Sequence, residues 1–198
     1  MATPIEYEVP TWNQIYEMLI EQSEKIRKSH YQPDIIVGIA RGGLIPARIL
    51  TDLLETPQVA TIRIEFYADI AQPSIQPLLK QPLNVPVTGK KILIVDDISD
   101  SGQSLKTAKQ HLTEKGAAET KIATLYTKTT TQTIPDYYEK TADRWIVFPW
   151  EIKETLRYIL QKQEGKRAAN QELAKLVKAG LPKQLTERIL KTLQEQQP

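Results

Sequence analysis

The chain has no cysteine, which excludes disulfides and metal sites built on thiolates. Its two histidines, His30 and His111, are far apart, and each follows a helical pattern. Surface or packing roles are expected of them, not a shared metal. No apolar run is long enough to span a membrane, and the N-terminus lacks the basic-then-apolar order of a signal peptide. A soluble, cytoplasmic protein without a membrane partner is expected. Neither sign of charge dominates: the formal net charge is +2 over 198 residues, which points to no particular partner. A Walker loop is absent too, in spacing and in its lysine.

What is present is concentrated in Lys90–Ser104. The apolar run Ile92-Leu93-Ile94-Val95 ends in two adjacent carboxylates, Asp96 and Asp97. Asp100 then opens a small turn, Ser101-Gly102-Gln103-Ser104, and Leu105, Ala108 and Leu112 begin a helical period. The layout is a buried strand, an acidic strand end, a loop of anion size and a helix N-terminus. The first amides of a helix have no intrahelical partners and carry the positive end of its dipole. A glycine there lets the backbone approach a phosphate closely. Asp96 and Asp97 would repel a bare phosphate, but they suit hydroxyl donors or a hydrated magnesium ion. A sugar phosphate with a vicinal diol meets both demands. The alternative is purely structural: Asp100 caps the helix and Gln103 completes an Asp-x-x-Gln capping box.

A second strand–turn–helix lies upstream. Ile35–Ile39 suits a strand buried on both faces, and Ala40-Arg41-Gly42-Gly43 follows it. Leu44–Leu54 has helical character, with Pro46 tolerated in the first turn. An arginine here can grip phosphate oxygens bidentately, or the segment is a tight turn with a solvated arginine. Together the two turns describe a ligand with phosphates at both ends and a ribose between them.

These segments resemble the type I phosphoribosyltransferases. Val95–Ser104 resembles that family's phosphoribosyl pyrophosphate (PRPP) motif, and Ala40-Arg41-Gly42-Gly43 resembles its pyrophosphate loop. Trp145-Ile146-Val147-Phe148-Pro149-Trp150-Glu151, with Lys128 upstream, resembles the base-binding hood of xanthine-guanine and other 6-oxopurine enzymes. Ser101 departs mildly from the commoner threonine, and the family's mobile loop has no recognisable signature.

The resemblance implies transfer of a phosphoribosyl group from PRPP to a 6-oxopurine, with magnesium as cofactor and release of pyrophosphate. Ala40, Arg41, Gly42 and Gly43 would hold the pyrophosphate. Ser101, Gly102, Gln103 and Ser104 would hold the 5-phosphate, and Ser99 would be a further substrate-binding residue. Asp96 and Asp97 would take the ribose hydroxyls or the metal, and Asp100 would be the general base. Lys128 would donate to the 6-oxo group and Trp145 would stack on the ring. Ile146 would offer main-chain groups, and Glu151 would sit near a second magnesium or the ring's 2-substituent. A homodimer or larger homo-oligomer is implied, and no nucleic-acid partner. The rivals are a PRPP-binding regulator without turnover and a phosphoribosyltransferase for another base.

Apolar strands near 35–40, 60–66, 91–95, 121–126 and 144–148, alternating with helices, predict an α/β fold. Its parallel twisted sheet would carry helices on both faces. An opening helix is read from Trp12 to Ile26. Residues 67–90, rich in proline, are a solvated connection or a lid. The core with its hood is expected over 1–155, and a helical extension over 156–198. Residues 152–198 hold ten Lys/Arg against five Asp/Glu. Gly180 and Pro182 separate two amphipathic helices there, for which packing or oligomer contact is expected over DNA reading.

Overall fold

The computed structural model of the chain describes residues 5–56, 58–68, 75–162 and 166–195. In order these form β1 (Tyr7–Glu8), α1 (Trp12–Lys28), β2 (Ile35–Ala40), α2 (Leu44–Leu53), β3 (Val59–Ala68), β4 (Ile75–Gln81) and β5 (Lys91–Ser99). There follow α3 (Gln103–Glu114), β6 (Glu119–Thr127), β7 (Tyr137–Thr141), β8 (Trp145–Ile146), α4 (Ile152–Lys162), α5 (Lys166–Lys178) and α6 (Lys183–Glu195). They pack as two compact units, Tyr16–Asp143 and Met1–Ile15 with Arg144–Pro198. Residue 155, the expected end of the core, lies inside α4.

The larger unit is built on a six-stranded sheet in the order β4-β3-β2-β5-β6-β7. All neighbours are parallel except β4, which runs antiparallel to β3. Alternation along β2 covers both faces. Ile35, Val37 and Ile39 pack in the cluster that holds Leu105, Ala108 and Leu112 of α3. Gly38 faces the other way, where an added Cβ would lie 3.0 Å from Ala47 of α2. The α3 residues are the three whose spacing predicted that helix. Burying a leucine fully contributes about 1.5–3 kcal/mol, so Leu105 and Leu112, with Ala108 between them, anchor α3 to the sheet.

From β2 the chain crosses to β3 on one side, while β5 and β6 extend the sheet on the other. The carboxyl ends of β2 and β5 therefore flank the point where strand order reverses. In open α/β sheets, that crevice is where ligands bind.

Residues 67–90 resolve differently from a plain connection. Residues 69–74 lie outside those described, but Ile75–Gln81 is a strand, with Pro77 opposite Phe66 on the sheet edge. Proline is tolerated there because an edge strand need not donate outward. β7 is a further edge strand that the sequence did not announce.

In the smaller unit, β1 and β8 form a two-stranded parallel pair. The start of α1 carries a reciprocal cap. Gln14 N–H donates to the Thr11 hydroxyl at 3.2 Å, and Thr11 N–H donates to Gln14 Oε1 at 2.8 Å. Tyr7, Val147, Leu156, Ile159, Leu176 and Leu181 make this unit's core. The predicted C-terminal helix pair is α5 and α6, with α4 before them. Among the described residues, no helix is long and apolar enough to cross a membrane.

Candidate active site

β5 does not stop at Val95 but runs through both acids to Ser99, which sets Asp96 and Asp97 at a fixed register beyond the apolar run. Asp97 is buried and Asp96 half-buried. Across the β2–β5 junction, Gly42 lies so close to Asp97 that an added Cβ would collide with its carboxyl group. A side chain at 42 would push the Asp97 carboxyl aside, and one at 43 would meet the backbone of Val95 and Ile39: the Arg41–Gly43 turn is pressed against the end of β5. The Ala40–Arg41 peptide bond is cis. Arg41 is exposed at the end of β2 and Gly43 is the N-cap of α2, without a side-chain cap.

Crowding of two acids leaves an electrostatic mark. Burial of its carboxyl, then the neighbouring Asp97 charge, holds the Asp96 pKa well above the usual carboxylate range. Asp97 N–H donates to Asp96 Oδ1 at 3.0 Å and offsets part of this. Such a pair is poised for a cation or for hydroxyl donors.

A cavity of about 220 Å³ opens beside the pair. Asp96, Asp97, Asp100, Ser101, Gly102 and Ser104 line it, so β5 and the predicted phosphate turn share one space. Phe66 of β3 also lines it, a residue the sequence reading did not single out; it sits 47% exposed. The lining does not include Arg41 or Lys128.

The capping-box alternative does not hold. The N-cap of α3 is Gly102 in the left-handed region (φ 78), with no side-chain cap. Asp100 is exposed and lines the cavity. Gly102 also has no room for a side chain: a Cβ would come 2.7 Å from Thr131 Oγ1. Gly102→Ala is expected to cost about 1–2 kcal/mol from backbone strain alone, and more from the clash. Thermal melting should register that loss, and the KM for PRPP should rise as the turn distorts. A variant that melts and binds PRPP as the parent does would contradict this packing.

Ser99 is placed differently from a ligand contact. It is 1% exposed. Its hydroxyl meets Thr131 Oγ1 at 2.7 Å and Thr133 O at 2.8 Å. It faces the 131–133 turn and ties that turn to the end of β5. Gln103 N–H reaches Ser101 Oγ at 3.4 Å. The threonine-rich run 129–133 was the available signal for this tie, but its partner lies some thirty residues away.

Lys128 is half-buried just after β6, and its N–H donates to Ser99 O at 2.9 Å. Trp145, Ile146 and Glu151, which the resemblance assigned to the base, belong to the smaller unit. There Trp145 is 42% exposed and stacks on Tyr158, ring centroids 5.6 Å apart. Ile146 is buried in β8. Glu151 precedes α4, and its Oε1 accepts from Phe148 N–H at 3.2 Å. Trp150 stacks on Phe148, ring centroids 4.9 Å apart.

A sequence model of the phosphoribosyl transferase domain matches residues 9–155. The chain belongs to the phosphoribosyltransferase family. It is 31% identical over 160 residues to a xanthine-guanine phosphoribosyltransferase of Nitratidesulfovibrio vulgaris, covering 78% of this chain and 92% of that one. Against a hypoxanthine-guanine phosphoribosyltransferase of Schizosaccharomyces pombe it is 27% identical, covering 73% and 88%. Among solved structures, a purine phosphoribosyltransferase from Pyrococcus horikoshii superposes with a TM-score of 0.67 at 36% identity, covering 74% of this chain and 94% of that one. The chain is a PRPP-dependent phosphoribosyltransferase related to the 6-oxopurine enzymes.

Phosphoribosyltransferases typically use magnesium, and the residues here fit that ion. Two crowded carboxylates supply only hard oxygen donors. Among the described residues, no three acids or imidazoles gather to enclose a metal. Magnesium suits two adjacent carboxylates, because it keeps several waters and binds through one or two carboxylates plus substrate phosphate.

Proposed function

We propose that this phosphoribosyltransferase transfers the 5-phosphoribosyl group of PRPP to a 6-oxopurine and releases pyrophosphate. The observation that carries the reading is the meeting of Gly42 with the Asp97 carboxyl, which sets the Arg41–Gly43 turn against the acid pair. The relatives named for xanthine, guanine and hypoxanthine support the choice of base.

In this reading a purine ring nitrogen forms a bond to C1 of the ribose as the C1–pyrophosphate oxygen bond breaks, and both electrons leave with pyrophosphate. Arg41 and the amide of Gly42 receive the growing negative charge; the Gly43 amide, expected to join them, instead donates to Ile39 O at 2.9 Å. Donors already aimed at developing charge are usually the largest single contribution to catalysis. The amides and hydroxyls of Ser101, Gly102, Gln103 and Ser104 hold the 5-phosphate at the start of α3. Asp96 and Asp97 accept from the ribose hydroxyls or would hold magnesium, which would supply positive charge to offset the negative charge developing on pyrophosphate. Asp100 takes the proton that the purine imidazole ring gives up. Trp145 stacks on the base, Ile146 lends main-chain groups, and Glu151 stands toward the 2-substituent. A cytoplasmic homodimer or larger assembly belongs to the same proposal, and light scattering on the purified chain checks it.

Lys128 selects the base. An ammonium donates to a 6-oxo group, whereas the 6-amino group of adenine would place donor against donor. Lys128→Ala is expected to reduce the preference for hypoxanthine over adenine in kcat/KM by roughly 10- to 10²-fold, the scale of one charged hydrogen bond. Unchanged selectivity in that variant would remove Lys128 from the base site.

A further inference from the structure

The turn that carries Lys128 is fastened at several points, and one fastening has no role so far. Lys128 N–H is held by Ser99 O at 2.9 Å, and at the far end of the turn Gln132 N–H donates to Ser101 O at 3.1 Å. Between them, Thr129 gives both of its donors to a single oxygen of Asp143. Its N–H reaches Oδ1 at 3.1 Å and its hydroxyl at 2.7 Å. The neighbouring Ala142 N–H closes onto Thr127 O at 3.1 Å. Residues 127–129 are thereby clamped to 142–143, fourteen residues along the chain.

Thr129 and Asp143 are both exposed. Water would satisfy these groups if they parted, so the clamp adds little to global stability. Its effect is local: it fixes the backbone direction at the residue after Lys128. Lysine is a charge on a flexible four-carbon stem, and its aim depends on how firmly its root is held. The Asp143 carboxyl is held below the usual range, first by the Thr129 hydroxyl, next by the Thr129 amide, and less by the Lys128 charge. The two side chains are therefore near enough to feel each other.

We propose that Asp143 is a positioning residue for base recognition: through Thr129 it locks the Lys128 turn so that the ammonium is aimed before the purine arrives. This rests on the reading of Lys128 as the base selector. A preordered donor binds more tightly than one that must be ordered on binding.

The test uses the full-length chain and steady-state kinetics with hypoxanthine and PRPP varied separately. Asp143→Ala is expected to raise the KM for hypoxanthine about 10-fold, the scale of one hydrogen bond. The KM for PRPP and the melting temperature should stay near those of the parent. Asp143→Asn keeps an oxygen for Thr129 to donate to, so it should recover most of the lost affinity. Thr129→Val should resemble Asp143→Ala, and the double variant should be no worse than either alone, because both act through one bond. A parental KM for hypoxanthine in Asp143→Ala would overturn the inference, and if Lys128→Ala still lost selectivity the base reading would stand without it. Equal rises in both KM values, or a large fall in melting temperature, would make Asp143 merely structural and overturn it as well. If neither variant altered base affinity or selectivity, both readings would fall.

Discussion

Asp100→Asn is expected to lower kcat by about 10²–10⁴-fold, the range of general acid–base catalysis, with the fold and PRPP affinity retained. The structure separates this residue from the architecture around it. Asp100 is exposed on the turn between β5 and α3, lines the cavity shared with Asp96 and Ser101, and does not cap the helix. Removing its charge therefore leaves no buried partner unpaired, and the melting temperature should move by no more than an ordinary surface substitution moves it. Asparagine keeps the shape and one accepting oxygen but cannot take a proton. Single-turnover measurement with saturating PRPP and hypoxanthine isolates the step. Turnover within about twofold of the parent would exclude Asp100 as the base, since general-base removal costs far more.

Asp96→Asn should divide stability from activity. In metal-free buffer at pH 7 the variant is expected to melt higher than the parent, because it no longer holds a carboxylate against burial and the Asp97 charge. For a chain of this length each kcal/mol of relief raises Tm by about 2–4 °C. The sign follows from proton linkage. A folded-state pKa raised above the unfolded value means that the folded chain holds this proton more tightly. That contribution is complete below the unfolded carboxylate value of about 4 and is lost as pH rises through the folded one. The gain from Asp96→Asn should accordingly be seen near pH 7 and vanish near pH 4. Activity should move the other way, with kcat/KM falling roughly 10- to 10²-fold for loss of a charged acceptor. A lower Tm at pH 7 without metal would show that the carboxylate is not under strain from its neighbour.

The sequence carried the catalytic half of the fold because its signals are local. Ile35–Ile39 and Ile92–Val95 are uninterrupted apolar runs, each followed by a glycine turn and a helical period, and both became strand–turn–helix units at the point of strand reversal. The edge strands were silent. Tyr137–Thr141 buries little beyond Tyr137, and Ile75–Gln81 contains Pro77, so neither shows the run or the alternation that marks a strand with a buried face. Ser99 read as a substrate-binding residue by its place in the motif. Its burial is decided by Thr131 and Thr133, and a partner that distant leaves no trace beside it in the chain. Asp143 was invisible for the same reason: an aspartate before a strand is ordinary until Thr129 is seen to point at it. Gly102 was legible as a glycine near an anion, but its collision with Thr131 was not.

The most direct test of the account is pyrophosphate release from PRPP with magnesium, with hypoxanthine, guanine and xanthine run beside adenine, uracil and orotate. Release with the three oxopurines alone, abolished when the metal is chelated, is the expected result. Release with adenine or a pyrimidine instead would contradict the roles given to Lys128 and Trp145. PRPP binding without release for any base would make the protein a sensor of PRPP and contradict the central claim.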